Sequence, residues 1–506
     1  MNIKKTAALF LAAAALLCLA SCGNGTGEDT LPATEGPALT AAPEATTEAL
    51  DEWGRPVETD GIPETLRFDG ETLKILSRED SKFRWQLDFY ARDESGIKVN
   101  DAVYRRNERI RERLGIDIEV TERPGSYNEF DAYAAYITRS YSSGSGDFDL
   151  AGTYSIYGAR YATNGYFENI YDLDRYIDLD RVWWNSTFRD DMTVNDKLYF
   201  LVGDMNLTTL SRMLVTYCNK QELDSRVSGL NLYREVIDGG WTIERMHELT
   251  SSVYSDVNGN GSADSGDFFG IVSTAPSEAY DGFGVALDIG LIVRNDAGEW
   301  SFTENTDRVI EACEKTADLY FKGVNPSYFD SLDNVQTMFA NDRALFMVMT
   351  LDKSTESIIT DMKADFGILP LPKLNADQAS YYTVPQDAFN LISIVRGSTH
   401  TDMVAAAAEL MSAGSYQTVT PVYFDDVLKY RYMRDSESGQ MLEICRAGLR
   451  MDFATVNTLS LNDSGRWFRN TMHGAKENAG ANAAVRLKLF SRTIGSYLDS
   501  FVSSYN

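Results

Sequence analysis

The densest group of oxygen-bearing side chains runs from Asp256 to Asp267. Its sequence is Asp256-Val257-Asn258-Gly259-Asn260-Gly261-Ser262-Ala263-Asp264-Ser265-Gly266-Asp267. Counted as a twelve-residue loop, Asp256, Asn258, Asn260, Asp264 and Asp267 fall at positions 1, 3, 5, 9 and 12. Gly261 holds position 6, and Ser262 at position 7 offers its backbone carbonyl. A hard cation needs six to eight oxygens around a tight turn, so the spacing predicts a structural calcium site. Asp267 stands where a longer Glu usually binds with both oxygens, which lowers the expected affinity. An Asn/Gly turn held by its own side chains is the metal-free alternative. Other chemistry is sparse. The three histidines, His247, His400 and His473, lie far apart, and no Gly-x-Ser-x-Gly elbow or triad order occurs. The sequence therefore points away from an enzyme.

The chain has 506 residues, too many for one core, and predicts two domains. It carries 75 Asp plus Glu against 47 Lys plus Arg, a formal net charge of −28. That excess argues against nucleic acid as a partner and against a basic face on anionic lipid. At the N-terminus Lys4 and Lys5 precede an apolar run, Ala7 to Ala20, too short to span a bilayer. The run ends in Leu19-Ala20-Ser21-Cys22-Gly23, which resembles a bacterial lipoprotein lipobox. The resemblance implies removal of residues 1–21 and a lipid on Cys22. Cys218, Cys313 and Cys445 sit in apolar or mixed runs and read as small buried hydrophobes. Residues 23–63 hold 5 of the 12 prolines and nine acidic residues against one Arg, Arg55. Such a segment reads as a disordered tether.

The body then alternates strand and helix patterns. Leu73–Leu76 predicts a strand. Asn100 reads as a helix cap before Val103, Ile110 and Leu114, with Gly115 as the stop. Ile116, Ile118 and Val120 predict a second strand, Phe130 to Tyr141 a helix, and Phe148–Ala151 a third strand. This order implies a mostly parallel α/β sheet. Further on, Thr242 reads as a helix cap, Val309 to Tyr320 as a helix, and Ala344–Met349 as a buried strand. Phe366–Leu369 and Phe389–Val395 are further strands. Two helices follow Asp463, with a break near Gly480.

Several stretches together resemble the extracellular solute-binding lipoproteins of bacterial ATP-binding-cassette importers, especially the carbohydrate-binding type. They are Lys197–Leu201, Leu214–Lys220, Gly240-Trp241-Thr242 with the Asp/Asn loop, Met338–Phe346, and Phe366–Pro372. Cys218 interrupts a Tyr-Asn-Lys triplet, and Asp342 replaces a Gly. The resemblance implies two α/β lobes joined by hinge strands, with crossings near Asp204–Asn206, Pro326 and Pro372–Tyr381. It assigns residues 64–206 and 327–372 to the N-terminal lobe, and 207–326 and 373–506 to the C-terminal lobe. It also implies a monomer that captures a sugar between its lobes, hands it to a membrane permease, and works outside the cytoplasm. A binding protein for peptides or other small polar solutes, or a secreted glycoside hydrolase with two carboxylates, is the alternative.

Sugar recognition needs aromatic faces and hydroxyl-binding polar groups. The residues expected at such a cleft follow strand ends: Ser77, Arg78 and Trp85 after the first strand, then Thr153, Tyr154 and Tyr157 after the third. Asp204 stands at the hinge, Thr350 and Asp352 follow the Met-rich strand, and Asp387 lies on a return crossing. Trp467 is placed by the family resemblance. Trp183, Trp184 and Trp241 read as structural.

Overall fold

The computed structural model describes residues 55–79, 85–274, 277–295, 297–428, 436–473 and 478–505. Eleven strands occur among them: β1 (Thr72–Glu79), β2 (Asp117–Pro124), β3 (Leu150–Tyr154), β4 (Leu214–Asn219), β5 (Phe269–Ser273), β6 (Ile292–Arg294), β7 (Trp300–Phe302), β8 (Ser327–Phe329), β9 (Ala344–Thr350), β10 (Phe366–Leu369) and β11 (Asn390–Ile394). They form two main sheets, ordered β11-β3-β1-β2 and β10-β4-β9-β5-β8, and a small β6-β7 pair.

In the first sheet β1 runs parallel to β2 and β3, and β11 is antiparallel to β3. Helix α1 (Lys98–Leu114) buries Val103, Ile110 and Leu114, and Gly115 ends it in the left-handed region at φ 69°. Asn100 is not its cap. The helix starts at Lys98, and Asp101 accepts the Ser95 and Gly96 amides at 2.8 and 3.2 Å instead. Helix α2 (Phe130–Ser143) precedes β3, and α3 (Ser155–Ala162) follows it.

The second sheet sets β5 parallel to β8 and β9, with β4 antiparallel to β9 and β10. Its helices include α4 (Ile243–Thr250), α5 (Thr306–Phe321) and α6 (Leu332–Ala340). Thr242 caps α4, its hydroxyl accepting the Arg245 amide at 3.2 Å. Beside it the fully buried Trp241 donates its indole N–H to the Pro370 carbonyl at 3.0 Å. Cys218, Cys313 and Cys445 are buried free thiols.

The chain passes between the sheets along residues 201–214 and returns along 370–390. These two segments run antiparallel, with Leu201 bridged to Ile392 and Met213 to Pro385. This corrects the expected lobe boundaries. Residues 327–372 carry β8, β9 and β10 and belong to the second sheet, so no return occurs near Pro326. Residues 390–394 belong to the first sheet, and α7 (Thr401–Gly414) packs on α1. A third passage leads to α8 (Ser436–Ala447), which packs on β10. Helices α9 (Trp467–His473) and α10 (Ala479–Ser503) then pack on α5, and α10 begins one residue before Gly480, close to the expected break. The tether reading also extends too far. Arg55 and Ile62 are buried, and Asp60 pairs with Arg113 at 2.7 Å. Residues 1–54, with the signal and Cys22, lie outside the described residues.

One buried network fixes both passages to the first lobe. The Asp88 carboxylate accepts the Thr208 amide at 2.7 Å, the Thr208 hydroxyl at 2.6 Å and the Asn390 amide group at 2.8 Å. Asn390 in turn accepts Arg78 Nε at 2.6 Å, and Arg78 also donates to the carbonyls of Ala388 and Phe389 at 2.6 and 2.9 Å. Burial pushes the Asp88 carboxyl up to about 6, against the opposing pull of Thr208, Asn390 and Arg78. Asp88→Asn turns one acceptor into a donor facing other donors, and should cost about 1–3 kcal/mol. The raised carboxyl holds its proton in the folded state between about pH 4 and 6, where the unfolded chain has lost it. The wild-type advantage over the variant is therefore greatest below pH 4 and shrinks, by at most about 3 kcal/mol, as pH rises to 6. Denaturant unfolding at both pH values measures this; a gap that widens with pH contradicts it.

Candidate ligand-binding cleft

Ligands of α/β proteins gather beyond the carboxyl ends of parallel strands. Here those ends are Glu79, Tyr154, Ser273 and Thr350, on either side of the two passages. Residues 80–84 and 275–276, which follow β1 and β5, lie outside the described residues.

On the first-lobe side, Tyr154, Ile156 and Tyr157 join Ala388 in a small apolar cluster apart from the main core, with Phe130 packed against it. Tyr157 stacks on Phe130, and its ring meets Tyr154 edge-on at 5.5 Å. Tyr127 lies 6.5 and 6.2 Å from the same two rings and is 53% exposed. The Tyr154 hydroxyl donates to Asp387 Oδ1 at 3.3 Å. Burial, then the Asp387 charge, holds that phenol well above its ordinary pKa. The guanidinium of Arg78 lies 4.7 Å from the Tyr154 ring centre, on its buried side.

A line of polar contacts continues from Asp387 into the second lobe. Gln386 donates to Asp387 Oδ1 at 3.1 Å and accepts Arg212. The Gln386 amide donates to the Arg212 carbonyl at 2.9 Å, which joins the two passages. Arg212 reaches Asp352 Oδ2 at 3.5 Å, and Thr350 donates to the same carboxylate. The second lobe and the passages line a small hollow of about 60 Å³. Its lining mixes apolar side chains, among them Leu214, Val285 and Phe468, with the polar ones of Asp281, Gln386, Asp387, Asp452, Thr455 and Ser464. Arg469 holds Asp281 with two N–H groups, the Nε contact at 2.9 Å.

The expected cleft residues divide accordingly. Tyr154, Tyr157 and Asp387 come together, and Thr350 and Asp352 join them through Arg212. Ser77, Arg78 and Thr153 are fully buried beneath the cleft. Thr153 donates to the Leu391 carbonyl at 3.3 Å, and Ser77 to that of Arg78 at 3.2 Å. Asp204 lies apart. It is buried, accepts Thr420 at 2.7 Å and Arg446 at 2.9 Å, and lines a separate hollow with Trp183 and Trp184. Trp467 is buried at the start of α9, while its neighbour Phe468 lines the hollow. Trp85 opens the turn Trp85–Asp88 that carries the Asp88 network. Sequence reasoning did not single out Arg212, Gln386, Asp281, Phe468 or Tyr127. Gln386 and Phe468 adjoin chosen residues, so a one-residue shift in register separates them from selection.

No protein-family model matches this sequence, and no curated protein is similar to it. Solved structures are similar in fold. The sugar-binding protein MalE from Xanthomonas citri superposes with a TM-score of 0.55 at 12% identity, over 85% of this chain and 98% of that one. A cyclo/maltodextrin-binding protein complexed with maltotetraose gives 0.55 at 11%, over 84% and 97%. The GacH receptor of Streptomyces glaucescens, solved unliganded and with acarbose, gives 0.51 at 13%, over 84% and 99%. The chain shares the two-lobed fold of these proteins.

In that fold the segments joining the lobes form the floor between them, and here Arg212 ties one segment to the other. It is 6% exposed, so its partners lose a buried donor when it is shortened. Arg212→Lys keeps the charge but not the fork that reaches Gln386 and Asp352 together. A loss of about 1–3 kcal/mol is expected, as a lower urea midpoint with unchanged slope. A midpoint equal to wild type contradicts this placement.

Proposed function

We propose that the protein captures a sugar or oligosaccharide between its lobes and delivers it to an ATP-binding-cassette importer, without catalysis. The observation that carries this is the exposed ring of Tyr127, packed on the buried Tyr154 and Tyr157, with the Asp387 carboxylate beside them on the segment joining the lobes. Aromatic faces suit the C–H face of a pyranose, and a fixed carboxylate accepts its hydroxyls. The acarbose and maltotetraose bound by two proteins of similar fold support the same class of ligand. Closure on ligand is hinge motion about the paired passages, favoured by whatever contacts the closed form adds.

The reading includes a lipid on Cys22 that holds the protein outside the cell membrane. Among the described residues no helix is long and apolar enough to cross a membrane. Cys22→Ala should release the protein from the membrane fraction into the medium; retention in the membrane argues against the anchor.

The reading also includes structural calcium. The loop gathers its side chains: Asp264 accepts the amide groups of Asn258 at 2.9 Å and Asn260 at 2.6 Å, and Asp256 accepts the Gly261 amide at 2.9 Å. Turned about, the two amide groups present oxygens to the same space. Asp267 is buried and accepts Val257, Tyr254 and Asp264. Among the described residues no three His, Cys, Asp or Glu side chains form a metal site on their own. Asp256, Asn258, Asn260 and Asp264, with the Ser262 carbonyl, would hold the ion, and it would brace the entry to β5.

A thermal-shift screen of chelator-stripped protein tests both points. A saccharide at 100 times its dissociation constant should stabilise by about 2.7 kcal/mol. Millimolar calcium alone should raise the melting temperature, and Asp264→Ala should abolish that rise. A shift with peptides and none with any saccharide rejects the carbohydrate reading; no shift with calcium rejects the metal.

A further inference from the structure

Residues 194–197 of the first lobe make a tight hairpin. Its central residues, Asn195 and Asp196, both take the left-handed region, at φ 50° and 57°, and Val194 and Lys197 exchange two backbone hydrogen bonds at 3.0 Å. Two-residue hairpins of this kind favour Asn and Asp at such positions. The first lobe holds the hairpin from both sides: the Ile170 amide donates to the Leu198 carbonyl at 2.7 Å, and Leu201 bridges Ile392 of β11. Its side chains, however, bond to the end of α10. Asn195 donates to the Val502 carbonyl at 3.1 Å, and Lys197 donates to the Tyr505 carbonyl at 2.6 Å. The Tyr505 ring is 3% exposed. It lies 5.5 Å from the Tyr199 ring of the first lobe and 5.1 Å from Phe501 of its own helix. Arg294 of β6 reaches the same hairpin and donates to the Thr193 carbonyl.

Helix α10 itself belongs to the second lobe. It packs on α5 and β7, with Phe490 6.0 Å from Phe302. The last carbonyls of a helix lack partners within it, and a cation is favoured at that end. Here the first lobe supplies both the donor and the cation. The lobes are thereby tied at a place apart from the passages along 201–214 and 370–390. A turn of one lobe against the other that parts this place breaks three hydrogen bonds and uncovers Tyr505. We infer that the end of α10 is a strap that fastens the second lobe to the 193–199 segment of the first and limits how far the lobes separate in the ligand-free protein. The inference rests on the two-lobed fold and not on the identity of the ligand.

The test is a distance measurement by pulsed electron spin resonance in the ligand-free full chain. Spin labels are placed through Arg109→Cys on α1 and Thr337→Cys on α6, both exposed positions, with Cys18 and Cys22 replaced by Ala. Cys218, Cys313 and Cys445 are buried and stay unlabelled. Asn195→Gly, Lys197→Met and Arg294→Met together remove the three donors. Glycine suits the left-handed position of Asn195, Asn195 and Arg294 are exposed, and Lys197 is half-buried, so the hairpin keeps its shape. The labels should then shift to a longer mean distance with a broader spread. Tyr505→Ala, which empties the contact from the other side, should shift them in the same direction and serves as the second variant should the first fold poorly. A distance distribution equal to that of the labelled parent, with or without a lower melting temperature, overturns the inference, because the contact is then packing alone.

Discussion

A single buried carboxylate decides how the two lobes are joined. Asp88 has no exposed surface, and its three hydrogen bonds reach Thr208 on one passage and Asn390 on the other. A group taken this far from water needs all its lone pairs answered, so both passages must lie where their donors meet it. Arg78 is equally buried and completes the arrangement from β1, binding Asn390 and two carbonyls of the return passage. Its burial lowers the guanidinium to about 10, and the neighbouring Tyr154, Tyr133, Asp88 and Asp387 oppose that shift. The floor of the cleft is thus built as part of the first lobe, and the second lobe hangs from it.

Two further buried groups extend the same logic. Glu409 on α7 accepts the indole N–H groups of Trp183 at 2.9 Å and Trp184 at 2.8 Å, which fixes the segment leading into the first passage. Burial drives that carboxyl up to about 7 despite both bonds. Asp204 and Arg446 pair at 2.9 Å behind the passages, joining the floor to α8 of the second lobe. The side facing Asp387 is different. There the contacts between lobes run through Arg212 and Gln386, which link Asp352 of the second lobe to Asp387 of the return passage.

Much of the fold was legible because its signals are local. The stripe of Val103, Ile110 and Leu114 ended by Gly115, the Thr242 cap and the buried run Ala344–Thr350 depend on near neighbours alone. Lobe membership is not local. A fully buried run such as β9 has the same composition in either sheet, so nothing in residues 327–372 says which sheet receives it. The acidic, proline-rich stretch before Pro63 hid its order for the same reason, since the partner of Asp60 is Arg113. In the cleft, Tyr154 and Tyr157 follow from their places after a strand end, and Asp387 from its place on a return crossing. Asp204 stands at a crossing too, but alternation along the passage turns it to the rear, towards a partner 242 residues away. Arg212 gave no sign at all, for its role exists only once both passages are side by side.

The central claim is that a saccharide binds on the floor between the lobes, against Tyr127 and Asp387. A crystal structure of the protein with a saccharide that raises its melting temperature tests this most directly. The account requires sugar density within hydrogen-bond distance of Asp387 and in contact with the exposed ring of Tyr127. Density in the rear hollow beside Trp184 and Arg446, or on the outer face of either lobe, would contradict it.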